Sequence, residues 1–173
     1  MRRGRLRRGF IVALVLGVVL GPLGVLAQDT TPSAEREVKE LFDRFVAAQN
    51  AHDLTTVGDL LLDSPRFLWI TRGTPLWGRE AALKRFEALY EGTYRWEPAL
   101  EELQVIVLND DVAHVYVPIT YTIGVANQEI QLRFLMNHVI LKTQTGWKVA
   151  SILPTPAPAP PARPRGSSRW TWS

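Results

Sequence analysis

The sequence predicts an α+β domain in which helices pack on one face of a curved, mostly antiparallel sheet. Three observations support this fold class. Apolar residues recur at helical spacing between about residues 33 and 90. From Tyr94 onward the period falls to two, which is typical of half-buried strands. Turn-forming residues separate the later segments, so helices come first and a run of strands follows.

Two helices are expected at the start of the folded part. The first carries an apolar face formed by Val38, Leu41, Phe42, Phe45 and Val46. Thr31-Pro32 is a plausible cap and first-turn pair for it, and it is expected to end near Asn50. Asp53 is expected to cap a second, shorter helix, which Ser64-Pro65 ends.

A strand over 66–72 and a turn at Gly73-Thr74-Pro75 come next. A third helix is predicted from about Arg79 to Tyr90. Four long strands follow, and Asn109-Asp110-Asp111, Ala126-Asn127 and Thr145-Gly146 separate them. These strands are predicted over 103–108, 112–123, 129–142 and 147–153.

The first 27 residues have the layout of a secretory signal peptide. Five arginines and no acid precede the apolar run Phe10–Leu20, and Val25-Leu26-Ala27 is a small-residue cleavage signal. The protein is therefore expected to be exported, to the periplasm or beyond the cell, by the general secretory or the twin-arginine route. If the segment stays uncleaved it is an anchor, which is the one expected contact with a membrane.

The basic overall charge belongs to the ends of the chain. Of 20 basic residues, five lie before Gln28 and three lie after Pro154, and neither of these end segments contains an acidic residue. Residues 28–154 therefore contain the other 12 basic residues and all 17 acidic residues, which gives them a net charge of −5. An acidic domain does not have the electrostatic footprint of a nucleic-acid-binding protein. Cysteine is absent, which excludes disulfides, thiolate metal sites and a cysteine nucleophile.

The domain limits follow from these features. The signal peptide covers 1–27 and a short lead-in covers 28–32. The folded domain covers 33–153. The segment 154–173 holds six of the 12 prolines and is expected to be an extended or disordered tail.

The order of these elements resembles the nuclear transport factor 2-like (NTF2-like) superfamily, in its SnoaL-like and ketosteroid-isomerase-like branch. The resemblance covers Ala34–Leu153 and rests on three stretches: AAQNAHDLTTVGDLL, PLWGREAALKRF and GWKVASI. It implies a cone-shaped sheet bent around three N-terminal helices, a deep pocket, and a homodimer through the outer face of the sheet. Val112, Tyr116, Val139 and Leu141 are the residues expected at that interface.

The resemblance also tests for isomerase chemistry, which needs a base and two groups that bind an oxyanion. The position of the base falls on Trp69, that of the tyrosine on Phe45, and that of the late-strand aspartate on His138. Tryptophan cannot abstract a proton and phenylalanine cannot donate one. The isomerase mechanism is therefore not carried over.

Strand alternation and the resemblance together predict an aromatic ligand pocket that contains no carboxylate. Arg72 and Arg133 should point away from it, but a β-bulge would turn either one inward and favour a carboxylate-bearing ligand. Trp77 is expected in the core or at the pocket mouth. The predicted lining is Phe45, Phe67, Trp69, Thr71, Phe86, Tyr90, Tyr121, Met136, His138 and Ser151.

The three histidines do not fall at metal-ligand spacing, so neither a metal site nor a cofactor is expected. His52 should be exposed, and His114 should lie on the outer sheet face. His138 shares a face with apolar residues and is the one candidate acid/base group. Three hypotheses stay open: a module that binds a small hydrophobic molecule, a SnoaL-like isomerase, dehydratase or cyclase that uses His138, and a dimerising assembly domain without a ligand.

Overall fold

A computed structural model describes residues 33–125 and 128–158. The expected signal peptide, the lead-in and residues 159–173 of the tail lie outside the described residues. Within the described part the chain forms three helices, eight strands and a 3-10 turn at Leu100–Glu102. In chain order they are α1 (Ser33–Asn50), α2 (Leu54–Leu60), β1 (Leu68–Thr71), β2 (Thr74–Trp77), α3 (Arg79–Tyr90), β3 (Thr93–Pro98), β4 (Gln104–Asn109), β5 (Val112–Val125), β6 (Gln128–Thr143), β7 (Gly146–Val149) and β8 (Ser151–Pro156).

The helices form where the sequence predicts them. The apolar stripe of α1 is buried against the sheet, and α1 contacts β3, β4 and β7. Asp53 caps α2, because its Oδ1 accepts a hydrogen bond of 3.0 Å from the backbone N–H of Thr56. None of the helices in the described residues is long and apolar enough to cross a membrane.

Two long antiparallel strands, β5 and β6, form the centre of the sheet and pair along almost their whole length. β3 and β4 share the other edge of β5, and β7 and β8 share the other edge of β6. β1 adds to β8 in parallel, and β2 completes a hairpin with β1. The fold is therefore α+β with a mixed, curved sheet whose inner face carries the helices, which confirms the predicted class.

The β1–β2 hairpin is a correction to the predicted turn at 73–75. The two turn residues are Arg72 and Gly73, both with positive φ, and Thr71 pairs with Thr74. Two positive φ values in a two-residue loop are typical of a type I′ turn, whose backbone twist matches that of the flanking strands. As a result Trp77 ends an edge strand and is 57% exposed, so the expectation that it lies in the core is wrong.

A break at Ala150 replaces the single strand predicted over 147–153. The Ala150 N–H donates to the Val139 carbonyl (2.8 Å), and the Val139 N–H donates to the Ser151 hydroxyl (3.1 Å). The extra residue shifts the alternation by one, as a bulge does. Ile152 is therefore buried on the inner face, whereas the register places Ser151 beside Leu68 on the opposite face. The expected inward orientation of Ser151 is wrong for this reason.

The last strand runs beyond the expected domain limit. β8 extends to Pro156 and pairs with β6 from Phe134 to Asn137. The first residues of the proline-rich segment, 154–156, are therefore part of the sheet.

Candidate functional site in the aromatic interior

Aromatic rings fill the space between the helices and the inner face of the sheet. One group surrounds His138, whose ring centroid lies 6.0 Å from those of Phe42 and Phe45 and 6.4 Å from that of Trp96. Phe45 meets the Trp96 ring edge-on at 5.4 Å. These neighbours are uncharged, so the imidazole lies in an aromatic, uncharged layer of the core.

A second group of rings runs from the core to the surface. Trp69 stacks on Phe86 with centroids 4.4 Å apart, and Phe86 is followed by Tyr90 at 6.0 Å. Tyr90 is half-buried and stacks on His52 at 4.5 Å with nearly parallel planes. His52 is half-buried and donates from Nε2 to the Tyr94 carbonyl at 3.0 Å, so it is less exposed than expected.

Strand β3, which is not among the strands predicted from the sequence, links the two groups. Its inner face carries Tyr94 and Trp96, both buried, and Tyr121 of β5 lies against both rings at 5.9 and 5.0 Å. The end of α1 is fixed to β3 because the Asn50 side chain hydrogen-bonds both the N–H and the carbonyl of Trp96. The alternation Tyr94-Arg95-Trp96-Glu97 is the signal that indicates this strand.

His138 is held in one tautomer. Its Nδ1 lies 3.0 Å from the carbonyl oxygen of Ser151, and a carbonyl only accepts, so Nδ1 carries the proton. Nε2 therefore keeps its lone pair. Burial lowers the pKa of His138 to about 4, although the Ser151 carbonyl opposes this in part. The imidazole is therefore neutral at physiological pH.

Three buried side-chain nitrogens of this interior have no hydrogen-bond partner among the described residues. They are Nε2 of His138, Nε2 of Gln49 and Nε1 of Trp96. Gln49 is fully buried on α1, one turn beyond Phe45, and its Oε1 accepts from the Tyr90 hydroxyl at 2.6 Å. Burial raises the pKa of the Tyr94 hydroxyl, and the nearby Trp96 side chain opposes this in part. The two groups do not reach hydrogen-bond geometry.

The interior carries no charge. The buried polar residues of the described chain are Gln49, Thr122, His138 and Ser151, none of which is a carboxylate or a cation. Arg72 and Arg133 are both exposed, and Arg133 lies 3.6 Å from Glu102 at the surface. Neither arginine turns into the interior, which settles the question that the sequence left open. Among the described residues, no cluster of histidine and acidic side chains could hold a metal ion.

Most of the predicted pocket residues meet in this interior. Those that are buried on the inner side are Phe45, Phe67, Trp69, Phe86, Tyr121, Met136 and His138. Tyr90 and Thr71 are half-buried at its rim, whereas the Ser151 hydroxyl is occupied at the bulge. Their close packing is that of a core. The concavities found on the described surface, of about 300 and 610 Å³, are lined by other residues.

Fold and interior together define a class of protein: an α+β cone with a neutral, aromatic interior. Residues 38–153 match the family of SnoaL-like domains, and the chain belongs to that family. A comparison with curated protein sequences gives no match.

Solved structures show the same fold at low sequence identity. A proposed dehydratase of the NTF2-like family from Streptomyces avermitilis is 20% identical with a TM-score of 0.65, over 73% of this chain and 99% of the other. An NTF2-like superfamily protein from Salmonella enterica serovar Typhimurium is 17% identical with a TM-score of 0.65, over 78% and 98%. A proposed aromatic ring hydroxylase from Novosphingobium aromaticivorans is 14% identical with a TM-score of 0.63, over 73% and 91%.

Proposed function

We propose that the protein, once exported, binds a small, neutral, largely apolar molecule in its aromatic interior. The observation that carries this proposal is the set of three unpartnered nitrogens on Gln49, Trp96 and His138. A buried polar group without a partner costs about 1–3 kcal/mol, so a ligand that satisfies these groups gains affinity from them.

The chemistry of the three groups describes the ligand. Nε2 of His138 is an acceptor and requires a hydroxyl or another donor. Gln49 and Trp96 offer N–H donors and require a carbonyl or hydroxyl oxygen. Since the interior holds no cation, a carboxylate ligand would be buried without a counter-charge, which is strongly unfavourable.

Entry of a ligand requires the rings to move, because they fill the interior. Tyr90 and His52 are the half-exposed members of the ring stack and the ones nearest solvent. We expect them to rearrange first. Exposed rings change rotamer on fast timescales, whereas packed core rings do not move without their neighbours.

The test uses three probes of similar size: phenol, toluene and benzoate. Phenol is expected to bind more tightly than toluene by roughly 1 kcal/mol, the net value of one hydrogen bond, and benzoate is expected not to bind. In the variant His138→Phe phenol should lose that advantage while toluene is unaffected. His114→Phe, on the outer face, is the matched control. Equal affinity of phenol and toluene for the unaltered protein would contradict the proposal.

A second candidate is an enzyme of the isomerase, dehydratase or cyclase type that uses His138 as a general base. The observation in its favour is the fixed tautomer, which leaves Nε2 free to accept a proton. Against it, a base with a pKa of about 4 is weak at neutral pH, whereas general bases work best near the operating pH. Proton exchange next to the carbonyl of a cyclic ketone in heavy water tests it. If His138 is the general base, the His138→Phe variant should catalyse this exchange about 10²–10⁴ times more slowly than the unaltered protein.

We propose further that the protein is a homodimer through the outer face of the sheet. Val112 pairs with Leu141 on that face, Val139 and Tyr116 lie on the same face, and all four are half-buried in the single chain. Ile106 on the neighbouring strand is 46% exposed. Apolar residues grouped on an outer sheet face favour burial against a partner.

Light scattering at micromolar concentration should therefore give twice the mass of the chain, and Val139→Glu should halve it. The exposed Lys142→Glu, on the inner side of the same strand, is the matched control and should leave the dimer intact. A monomer at micromolar concentration would contradict the interface.

A further inference from the structure

The strand β6 is longer than the strand that borders it. β8 pairs with β6 only from Phe134 to Asn137, whereas β5 covers the other edge of β6 as far as Gln128. Within the described residues, no strand covers the stretch from Gln128 to Leu132 on the β8 side. An open edge of this kind presents unpaired N–H and carbonyl groups.

The inner face of this open stretch is apolar. Ile130 is 56% exposed and Leu132 is 38% exposed, and they pair in register with Ile123 and Tyr121 of β5. Both side chains therefore lie on the face that continues into the aromatic interior. Exposed apolar residues on an otherwise buried face indicate that another segment covers them.

The C-terminal end of β8 lies next to this open edge. Beyond Pro156, the Ala157 N–H donates to the carbonyl of Arg133 at 3.0 Å, so the ladder continues past the last residue of β8. The described chain reaches Pro158. Continuing the register of β8 by two residues places Pro158 opposite Leu132.

The prolines of this segment occupy positions at which the ladder with β6 requires no backbone N–H. In an antiparallel pair only every second residue directs its N–H at the partner, and Ala157 is such a residue. Thr155 shares that orientation, whereas Pro154, Pro156 and Pro158 direct their nitrogens away from β6. Proline is tolerated in a sheet at such outward positions of an edge strand. The sequence repeats the pattern once more with Ala159 and Pro160, and Pro161 is the first proline that breaks it.

We propose that the open edge of β6 is a strand-acceptor site and that its occupant is the segment 158–160 of the same chain. Pro158 stands opposite Leu132, Ala159 exchanges two backbone hydrogen bonds with Gln131, and Pro160 stands opposite Ile130. The ladder ends at Pro161, which faces Glu129 and has no N–H to give. The two prolines cover the exposed Ile130 and Leu132.

The chain's own segment is favoured over a second copy because of its tether. Ala157 is already bonded to Arg133, so the next residues are delivered to the edge at a high effective concentration. On its outer side the added strand shows prolines without N–H groups, and this prevents further strands from adding there. A second copy would have to displace an intramolecular strand.

Hydrogen exchange at the Gln131 amide tests the proposal in the full chain. We expect this amide to be protected, and truncation after Pro158 should lower its protection by roughly 10-fold or more, the scale of a lost hydrogen bond. Truncation after Ala162 should leave it unchanged. The pair Ala159→Pro and Ala162→Pro tests the same strand with a single residue. Only the first removes an N–H that donates to the Gln131 carbonyl, and the loss of that bond should loosen the ladder and lower the protection of the Gln131 amide.

Two results would overturn the proposal. One is a Gln131 amide that exchanges freely in the full chain, or that stays protected after truncation at Pro158. The other is a protection that rises with protein concentration, which would assign the edge to a second copy of the chain.

Discussion

Replacing Trp69 with alanine is expected to lower the free energy of unfolding by about 3–5 kcal/mol. The indole is 5% exposed, stacks on Phe86 at 4.4 Å and lies beside Ile152 across the β1–β8 pair. Truncation would leave a cavity in a packed layer that cannot fully collapse, and such cavities add to the lost transfer free energy. Urea unfolding of the two proteins measures the difference.

Trp77→Ala is the matched control. Trp77 lies only eight residues away but is 57% exposed at the end of an edge strand, so its loss should change stability by less than about 0.5 kcal/mol. If the two variants were equally stable, Trp69 would line an open space and the packed arrangement of the interior would be wrong.

Acidification is expected to destabilise the domain through His138. Burial holds the pKa of His138 at about 4 in the folded chain, against an ordinary value of 6.5 in the unfolded chain. Between these two values the unfolded state binds a proton that the folded state does not. The stability that depends on a neutral His138 is therefore fully present above pH 6.5. It falls as the pH drops toward 4, by about 3 kcal/mol in total.

The variant His138→Phe isolates this effect from that of the carboxylates. It keeps an aromatic ring among Phe42, Phe45 and Trp96 but cannot be protonated, so its stability should fall less between pH 7 and pH 4. His114→Gln should keep nearly the full dependence, since the charge of His114 is the smallest of the influences on His138. Parallel pH profiles for the unaltered protein and His138→Phe would show that the imidazole is not buried as a neutral base.

The helices could be predicted from the sequence because their signals are local. The spacing of Val38, Leu41, Phe42 and Phe45 defines the buried face of α1, and Asp53 marks the start of α2 with its own side chain. The long strands β5 and β6 could also be predicted, since their alternation of inward and outward residues extends over more than ten residues.

The parts that depend on non-local contacts could not be predicted. The bulge at Ala150 exists because Val139, on a different strand, takes both the Ala150 N–H and the Ser151 hydroxyl as partners. The short strand β2 offers too few residues for a periodic signal, and it forms because it pairs with β1, where Leu68 lies opposite Trp77. The alternation in β3 is visible in the sequence, but its pairing with β5, where Trp96 lies opposite Tyr121, is not. Register decides which side chain points inward, and a shift of one residue reverses it.

The candidate site was predicted in part for the same reasons. His138, Trp69 and Tyr121 share inner faces of strands that the alternation defines, and they are buried together. Gln49 and Trp96 were missed. Glutamine is common in helices, so the sequence does not distinguish Gln49 from other residues of α1. Only the fold shows that Gln49 is fully buried and that its amide nitrogen has no partner. These two residues supply the donors of the proposed ligand site.

The interior is proposed to bind a neutral molecule through its three unpartnered nitrogens. Nuclear magnetic resonance of the ¹⁵N-labelled protein tests it directly, by following Nε2 of His138 and the indole N–H of Trp96 during titration with phenol and, separately, with toluene. We expect phenol to move both resonances in a saturable way as hydrogen bonds form, while toluene leaves Nε2 of His138 in place. If both resonances stayed unchanged up to the solubility of phenol, the interior would be a closed core and the claim would be contradicted.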